Sequence, residues 1–167
     1  MARWRRVRGR APDRGAAAVE FALVVLPLLL LVMGILDYGR FFFDSVSLRQ
    51  GAREAARQAV VQVYGASCTT GTVGDKIACS AKAASDLTIG TPVVRIPAVT
   101  EAVTGAGTQG QQLLVCMQSK ETGTGFVPLP AGGIIKTKTY MSIEIASVIV
   151  DSYTDSAPAG SDWGWCS

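Results

Sequence analysis

The sequence predicts an α+β protein: a long N-terminal transmembrane helix that continues into an extracytoplasmic domain with a small antiparallel sheet. Three observations carry this expectation. Residues 16–36 form an apolar run whose one charge is Glu20. Helical periodicity persists beyond that run, to about residue 64. Further on the pattern changes to period two, with β-branched residues gathered between residues 92 and 150. The chain divides accordingly into a basic leader (1–15), a membrane span (16–36), a helical continuation (37–64) and a β-rich domain (65–167).

The leader holds six arginines and one acid, whereas residues 16–167 hold ten basic and twelve acidic residues. Arg3, Arg5, Arg6, Arg8, Arg10 and Arg14 precede the apolar run, and Asp37, Arg40 and Asp44 follow it. The positive-inside rule then places the N-terminus in the cytoplasm and the rest of the chain outside, as a single-pass protein of the cell membrane. A basic arm of this kind also occurs in nucleic-acid binders. Beside an apolar span its topogenic reading is the stronger, and no nucleic-acid partner is expected.

The span AAAVEFALVVLPLLLLVMGIL has 21 residues, or roughly 31 Å of helix, about one hydrocarbon core. It exceeds the usual apolar core of a cleaved signal peptide, and the bulky, charged DYGRFFFDS follows it instead of an A-x-A site. Retention as a lipid-embedded anchor is therefore expected. Pro27 removes one helix hydrogen bond, a loss that membrane helices tolerate where neighbours satisfy the freed carbonyl. Gly34 and Gly39 offer close-approach surfaces without forming GxxxG.

Glu20 is the most informative residue. A carboxylate within a membrane helix costs about 2.5–3.5 kcal/mol and is a functional candidate by default. Near the cytoplasmic face it would instead reach water by snorkelling. The spacing R-G-A-A-A-V-E-F, from Arg14 to Phe21, adds a second consideration. Cleavage between Gly15 and Ala16 would make Glu20 the fifth residue of the mature chain, followed by aromatic Phe21. The new α-ammonium would lie at the edge of an apolar helix, where the glutamate of an axially staggered neighbour neutralises it.

These residues resemble a type IV prepilin-like processing site. The stretch from Gly15 to Arg57 resembles the TadE-like family of tight-adherence (Flp) pilus systems. The resemblance rests on GAAAVEFALV, on Pro27 early in the apolar run, on an acidic-aromatic-Gly-Arg turn at Asp37–Arg40, and on the closing AREAAR of Ala52–Arg57. It implies a pilin-like layout and a membrane-anchored protein that assists pilus assembly. It also implies other pilin-like and Tad assembly proteins as partners. Prepilin peptidase would act at Gly15, Ala16 and Glu20, and assembly contacts would fall at Glu20, Phe21 and Pro27. The mature chain would start with Ala16 rather than phenylalanine, and the ectodomain is large. Both features point to a minor pilin or pseudopilin rather than the bulk subunit.

Beyond the span, Leu48, Ala52, Ala55, Ala59 and Val63 follow helical steps, with Arg49, Arg53, Glu54 and Arg57 largely off that stripe. The helix is expected to run from about Asp13 to Tyr64 and stop at Gly65. The stripe fits packing on the protein's own sheet or between subunits. Residues 65–74 read as a loop and DKIACSAKAASDL (75–87) as a second helix. PVVRIPAV (92–99) reads as a proline-bounded edge strand. Residues 105–110 are a turn and QQLLVCMQS (111–119) a strand. Residues 123–133 form a Gly- and Pro-rich loop. IIKTKTYMSIEIASVIV (134–150) is a strand too long to lack a bulge or break, with Thr137, Thr139, Met141, Ile143 and Ile145 on one face. The tail, 151–167, reads as polar and turn-rich.

Cys68, Cys79, Cys116 and Cys166 all follow the span, where an oxidising environment favours two disulfides. Three pairings are open. Cys68–Cys79 with Cys116–Cys166 is favoured, closing a short loop at the helix end and tying the tail to a strand. A zinc site is the rival, but C-x-x-C is lacking.

The chain has no histidine, which excludes Ser-His-Asp and Cys-His nucleophile arrangements and imidazole metal sites. Neither a nucleophile elbow nor a phosphate- or dinucleotide-binding glycine motif is present. No catalytic residue, metal or cofactor is expected. Trp163 and Trp165 read equally as exposed binding aromatics or as a cap on the core. The competing functional expectation is a signal-anchored surface-binding module that no prepilin peptidase processes.

Overall fold

A computed structural model describes residues 14–99, 110–144 and 149–167. Helix α1, Arg14–Val61, is 48 residues long and crosses Pro27 without interruption. It is followed by α2, Val73–Ala84, and by strands β1 (Val93–Ile96), β2 (Gln112–Lys120), β3 (Ile134–Ser142) and β4 (Tyr153–Thr154). The strands form one antiparallel sheet in the order β3-β2-β1-β4. A long apolar helix with a second helix and a small antiparallel sheet is an α+β fold.

At about 1.5 Å per residue α1 is roughly 72 Å long. Its first half stands clear of the rest of the chain except for one loop, and its second half is the spine of a globular head. Leu48, Ala52, Ala55, Ala56 and Ala59 are buried against Ile77, Ala78 and Ala81 of α2 and against Val94, Ile96, Leu113, Val115 and Met117 of the sheet. Alanine suits this seam because it keeps the backbones close. Gly51 marks the tightest point: a Cβ there would lie 2.8 Å from the Ala81 carbonyl oxygen and 2.9 Å from Ser85 Cβ.

The ends of both helices differ from expectation. α1 stops before Gly65 because Gln62 adopts a left-handed φ of 53°. Its N–H donates to Ala59 O (3.3 Å) and that of Val63 to Gln58 O (3.1 Å). These two bonds form a Schellman closure that satisfies the last carbonyls. Val63 thus lies beyond the helix and is exposed rather than part of the stripe. α2 begins at Val73 because Thr72 and Asp75 form a capping box. Thr72 Oγ1 accepts from Asp75 N–H at 3.2 Å, and the Asp75 carboxylate accepts from Thr72 N–H at 2.8 Å.

The sheet carries two further corrections. β1 is not an edge, since it pairs with β2 on one side and β4 on the other. The tail is not merely a polar appendage. It covers the outer face of β2, where Leu114 and Cys116 pack with Trp163 and Cys166. Trp163 donates from Nε1 to Asp155 O at 2.9 Å, and Trp165 stacks on it with ring centroids 5.9 Å apart. β2 is consequently buried on both faces. β3 pairs with it over nine positions, from Gln112↔Ser142 to Lys120↔Ile134. The run 134–150 breaks after Ser142 and resumes with Val150, which pairs with Val99. Thr137, Thr139, Met141 and Ile143 share the helix-facing side, whereas Ile145 and the turn at 105–109 lie outside the described residues. Disulfides join Cys68 to Cys79 and Cys116 to Cys166, with Cα separations of 5.5 and 6.0 Å.

Candidate functional site

The free half of α1 presents the residues singled out at its start. Gly15, Ala16, Glu20 and Phe21 are all exposed, and Glu20 makes no ion pair among the described residues. Ala16 and Glu20 are one turn apart, offset by about 6 Å along the axis and about 40° around it. An α-amino group created at Ala16 and the Glu20 carboxylate would therefore lie on neighbouring faces of one helix end. The first turn contains no acidic residue to complement the helix dipole. Arg14 opens the helix; the other leader arginines lie outside the described residues. An 18-residue window of this helix reaches a mean hydropathy of 2.7, and none of it is buried within the chain.

The second site is the junction where α1 enters the head. Asp37, Tyr38, Gly39 and Arg40 do not form the expected turn; they are continuous helix. Thr124 and Pro128 dock onto this stretch. Asp37, only 4% exposed, accepts hydrogen bonds from Thr124 N–H at 3.1 Å and from Thr124 Oγ1 at 2.6 Å. The Tyr38 hydroxyl donates to Pro128 O at 3.1 Å. Two turns on, Asp44 is fully buried and accepts from Thr88 N–H at 2.8 Å and Ile89 N–H at 3.3 Å. Ser47 adds a reciprocal pair with Asp86, donating to its carbonyl at 2.7 Å and accepting from its N–H at 2.8 Å. Aspartates seven residues apart share a helix face, so Asp37 and Asp44 each hold a different loop against α1. That spacing was present in the sequence, but the loops they would bind were not identifiable there.

Glu121 completes the junction. It is 5% exposed, accepts from Ser119 Oγ at 3.2 Å and lies beside the Asp44 carboxylate. Burial, reinforced by the Asp44 charge, pushes its carboxyl up to about 7. On the far side of the head Lys82 and Asp155 form an ion pair at 2.8 Å that ties α2 to the tail. Burial alone would raise the Asp155 carboxyl, but Lys82, the Val94 N–H and the Tyr153 hydroxyl hold it below the usual range. No group of three or more Cys, Asp or Glu side chains among the described residues is placed to hold a metal ion.

The exposed apolar helix, its terminal glutamate and the acid-anchored junction fall in one contiguous stretch. Within it, residues 15–57 match the family model described as TadE-like protein, a similarity over about a quarter of the chain. The TadE-like segment opens at Gly15 and contains Glu20, Phe21, Pro27, Asp37, Asp44 and Gly51. It closes inside the buried alanine stripe, so it includes both the free half of α1 and the surface on which the head is built. No curated protein and no solved structure matches the chain.

Proposed function

We propose that the protein is a membrane-anchored minor pilin- or pseudopilin-like component of a Tad (Flp) pilus system, with its leader in the cytoplasm and its head outside. The coincidence of the TadE-like match with a helix apolar on every side carries this reading. Prepilin peptidase cuts between Gly15 and Ala16. Gly15 is a weak helix former in the first turn of α1, so opening that single turn presents the bond at small cost. The exposed α-ammonium of Ala16 and the Glu20 carboxylate of a staggered neighbour then neutralise each other among packed apolar helices. Phe21 and Pro27 lie on the surface that meets those neighbours, the other pilin-like and Tad assembly proteins.

The test is the N-terminus and intact mass of the protein purified from its native membrane. A start at Ala16 supports processing and the pilus role. A start at Met1 or Ala2 overturns processing and leaves a permanently anchored surface-binding protein. A start beyond Leu36 overturns the anchor itself. In cells, Glu20→Ala is expected to abolish pilus assembly while the protein remains in the membrane; normal piliation would remove Glu20 from the mechanism.

A further inference from the structure

The loop of residues 123–133 does not stay with the head. It descends along α1 to the level of the apolar span. Its Val127 Cγ2 lies 3.6 Å from where a Gly34 Cβ would be. Phe126 closes a surface pocket of about 230 Å³ against Leu26, Leu29, Leu30 and Met33. All five of these helix residues belong to the run 16–36. Leu30 lies six residues below Leu36, about 9 Å down the helix. If the span is in lipid, the tip of this loop is at the depth of the acyl chains.

We propose that this loop is a second membrane-contact element, and that Phe126 and Val127 at its tip insert into the leaflet on the head side of the span. The inference rests on the anchored reading of α1. Composition fits a lipid occupant: between Glu121 and Lys136 there is no charged residue. Phe126 is 71% exposed within the chain and continuous with the exposed Leu26, Leu29 and Leu30, so one apolar surface runs from the helix onto the loop. The polar contacts are confined to the level just above the span, where Tyr38 holds Pro128 O and Asp37 holds Thr124. A tyrosine at that height suits the headgroup boundary. At its upper end the loop is closed by Glu121 N–H donating to Gly133 O at 2.8 Å, which holds the tip at its depth. The head is thereby seated on the bilayer and fixed in rotation about α1 instead of swinging on a bare stalk.

The full chain is reconstituted in phosphatidylcholine–phosphatidylglycerol vesicles as wild type, F126W and Y140W; Tyr140 is an exposed residue of β3, away from the loop. Flotation with the vesicles is measured first, then the tryptophan emission added by each substitution, with plain and with acyl-brominated lipid. The expected result is that F126W adds blue-shifted emission that falls roughly twofold or more in brominated lipid, while the emission added by Y140W does not. Emission from F126W quenched no more than that from Y140W overturns the proposal. Emission that is blue-shifted yet unquenched also overturns it, assigning the patch to a protein neighbour. A chain that floats but fails the quenching test refutes the loop alone, whereas a chain that does not float refutes the anchored reading and the loop together.

Discussion

The two halves of α1 use apolar residues for different ends. Residues 15–36 are apolar around nearly the whole circumference, rich in large leucines and valines, and exposed to everything but one loop. Residues 44–60 are amphipathic: Leu48, Ala52, Ala55, Ala56 and Ala59 face inward, and Arg49, Arg53 and Arg57 face water. The backbone is the same, yet the medium each half meets is not. In the anchored reading the free half meets lipid, which conforms to any side chain, so it can be large and unspecific. α2 and the sheet are rigid partners, so the packed half must be small where they cross it. An apolar residue in the first half therefore reports on the solvent, and one in the second half reports on a shape.

The largest expected effect removes the head's fold without touching the span. Cys116–Cys166 closes a loop of sequence separation 50 and Cys68–Cys79 one of 11. On the chain-entropy account their loss costs about 4 and about 3 kcal/mol respectively. C116A/C166A is expected to lower the denaturant midpoint of the head more than C68A/C79A, and both proteins are expected to float with vesicles as wild type does. Equal midpoints would mean that the tail layer around Trp163 holds without its staple.

Two glycines of α1 give the next contrast. Gly51→Leu forces a side chain into the Ala81 carbonyl and Ser85 and is expected to cost about 3 kcal/mol or more, read by thermal unfolding of the full chain in detergent. Gly39→Leu meets nothing within 4 Å and is expected to leave the head unchanged. In the same assay Leu48→Ala, at a fully buried position, should cost about 3 kcal/mol. Leu28→Ala, in the free half, should cost the head almost nothing.

The same division explains what was legible in the sequence. The free half could be read because its partner is a medium, and a medium is recognised by composition alone. The stripe from Leu48 to Ala59 could be read because helical periodicity is local. Helix through Asp37–Arg40 was legible in the run expected from about Asp13 to Tyr64; the docking there of Thr124 and Pro128, which lie 87 and 90 residues away from Asp37 and Tyr38, was not. Pairings that distant leave no local mark, and the burial of β1 by β4 and of β2 by the tail was hidden for the same reason. Gln62 as the helix stop was hidden differently: glutamine has no preference for the left-handed region, and only the two closing hydrogen bonds select it. Gly15, Ala16, Glu20 and Phe21 are exposed, and the proposed role for them would be completed only by molecules outside the chain.

The smallest effect sharpens the comparison at the seam between the halves, where Asp44 of α1 meets Glu121. The folded Glu121 carboxyl stands at about 7, raised from 4.5 by burial and by Asp44. The folded state therefore retains a proton that the unfolded chain gives up above about pH 4.5. The associated stability is full below that value and is lost as pH rises through about 7. A shift of this size corresponds to about 2 kcal/mol once the residual solvent contact of the pair is discounted. Asp155, held low by Lys82, acts at the opposite end, losing its contribution only as pH falls below the usual carboxylate range. Between about pH 5 and pH 8 the head should therefore become less stable as the solution becomes more basic. E121Q keeps a donor toward Asp44 but cannot ionise, so its unfolding midpoint should be flat across that range. A slope that survives in E121Q would place the titrating group elsewhere. A slope that vanishes would place the titration on Glu121, at the seam where the loops beside Asp44 hold α1 to the head.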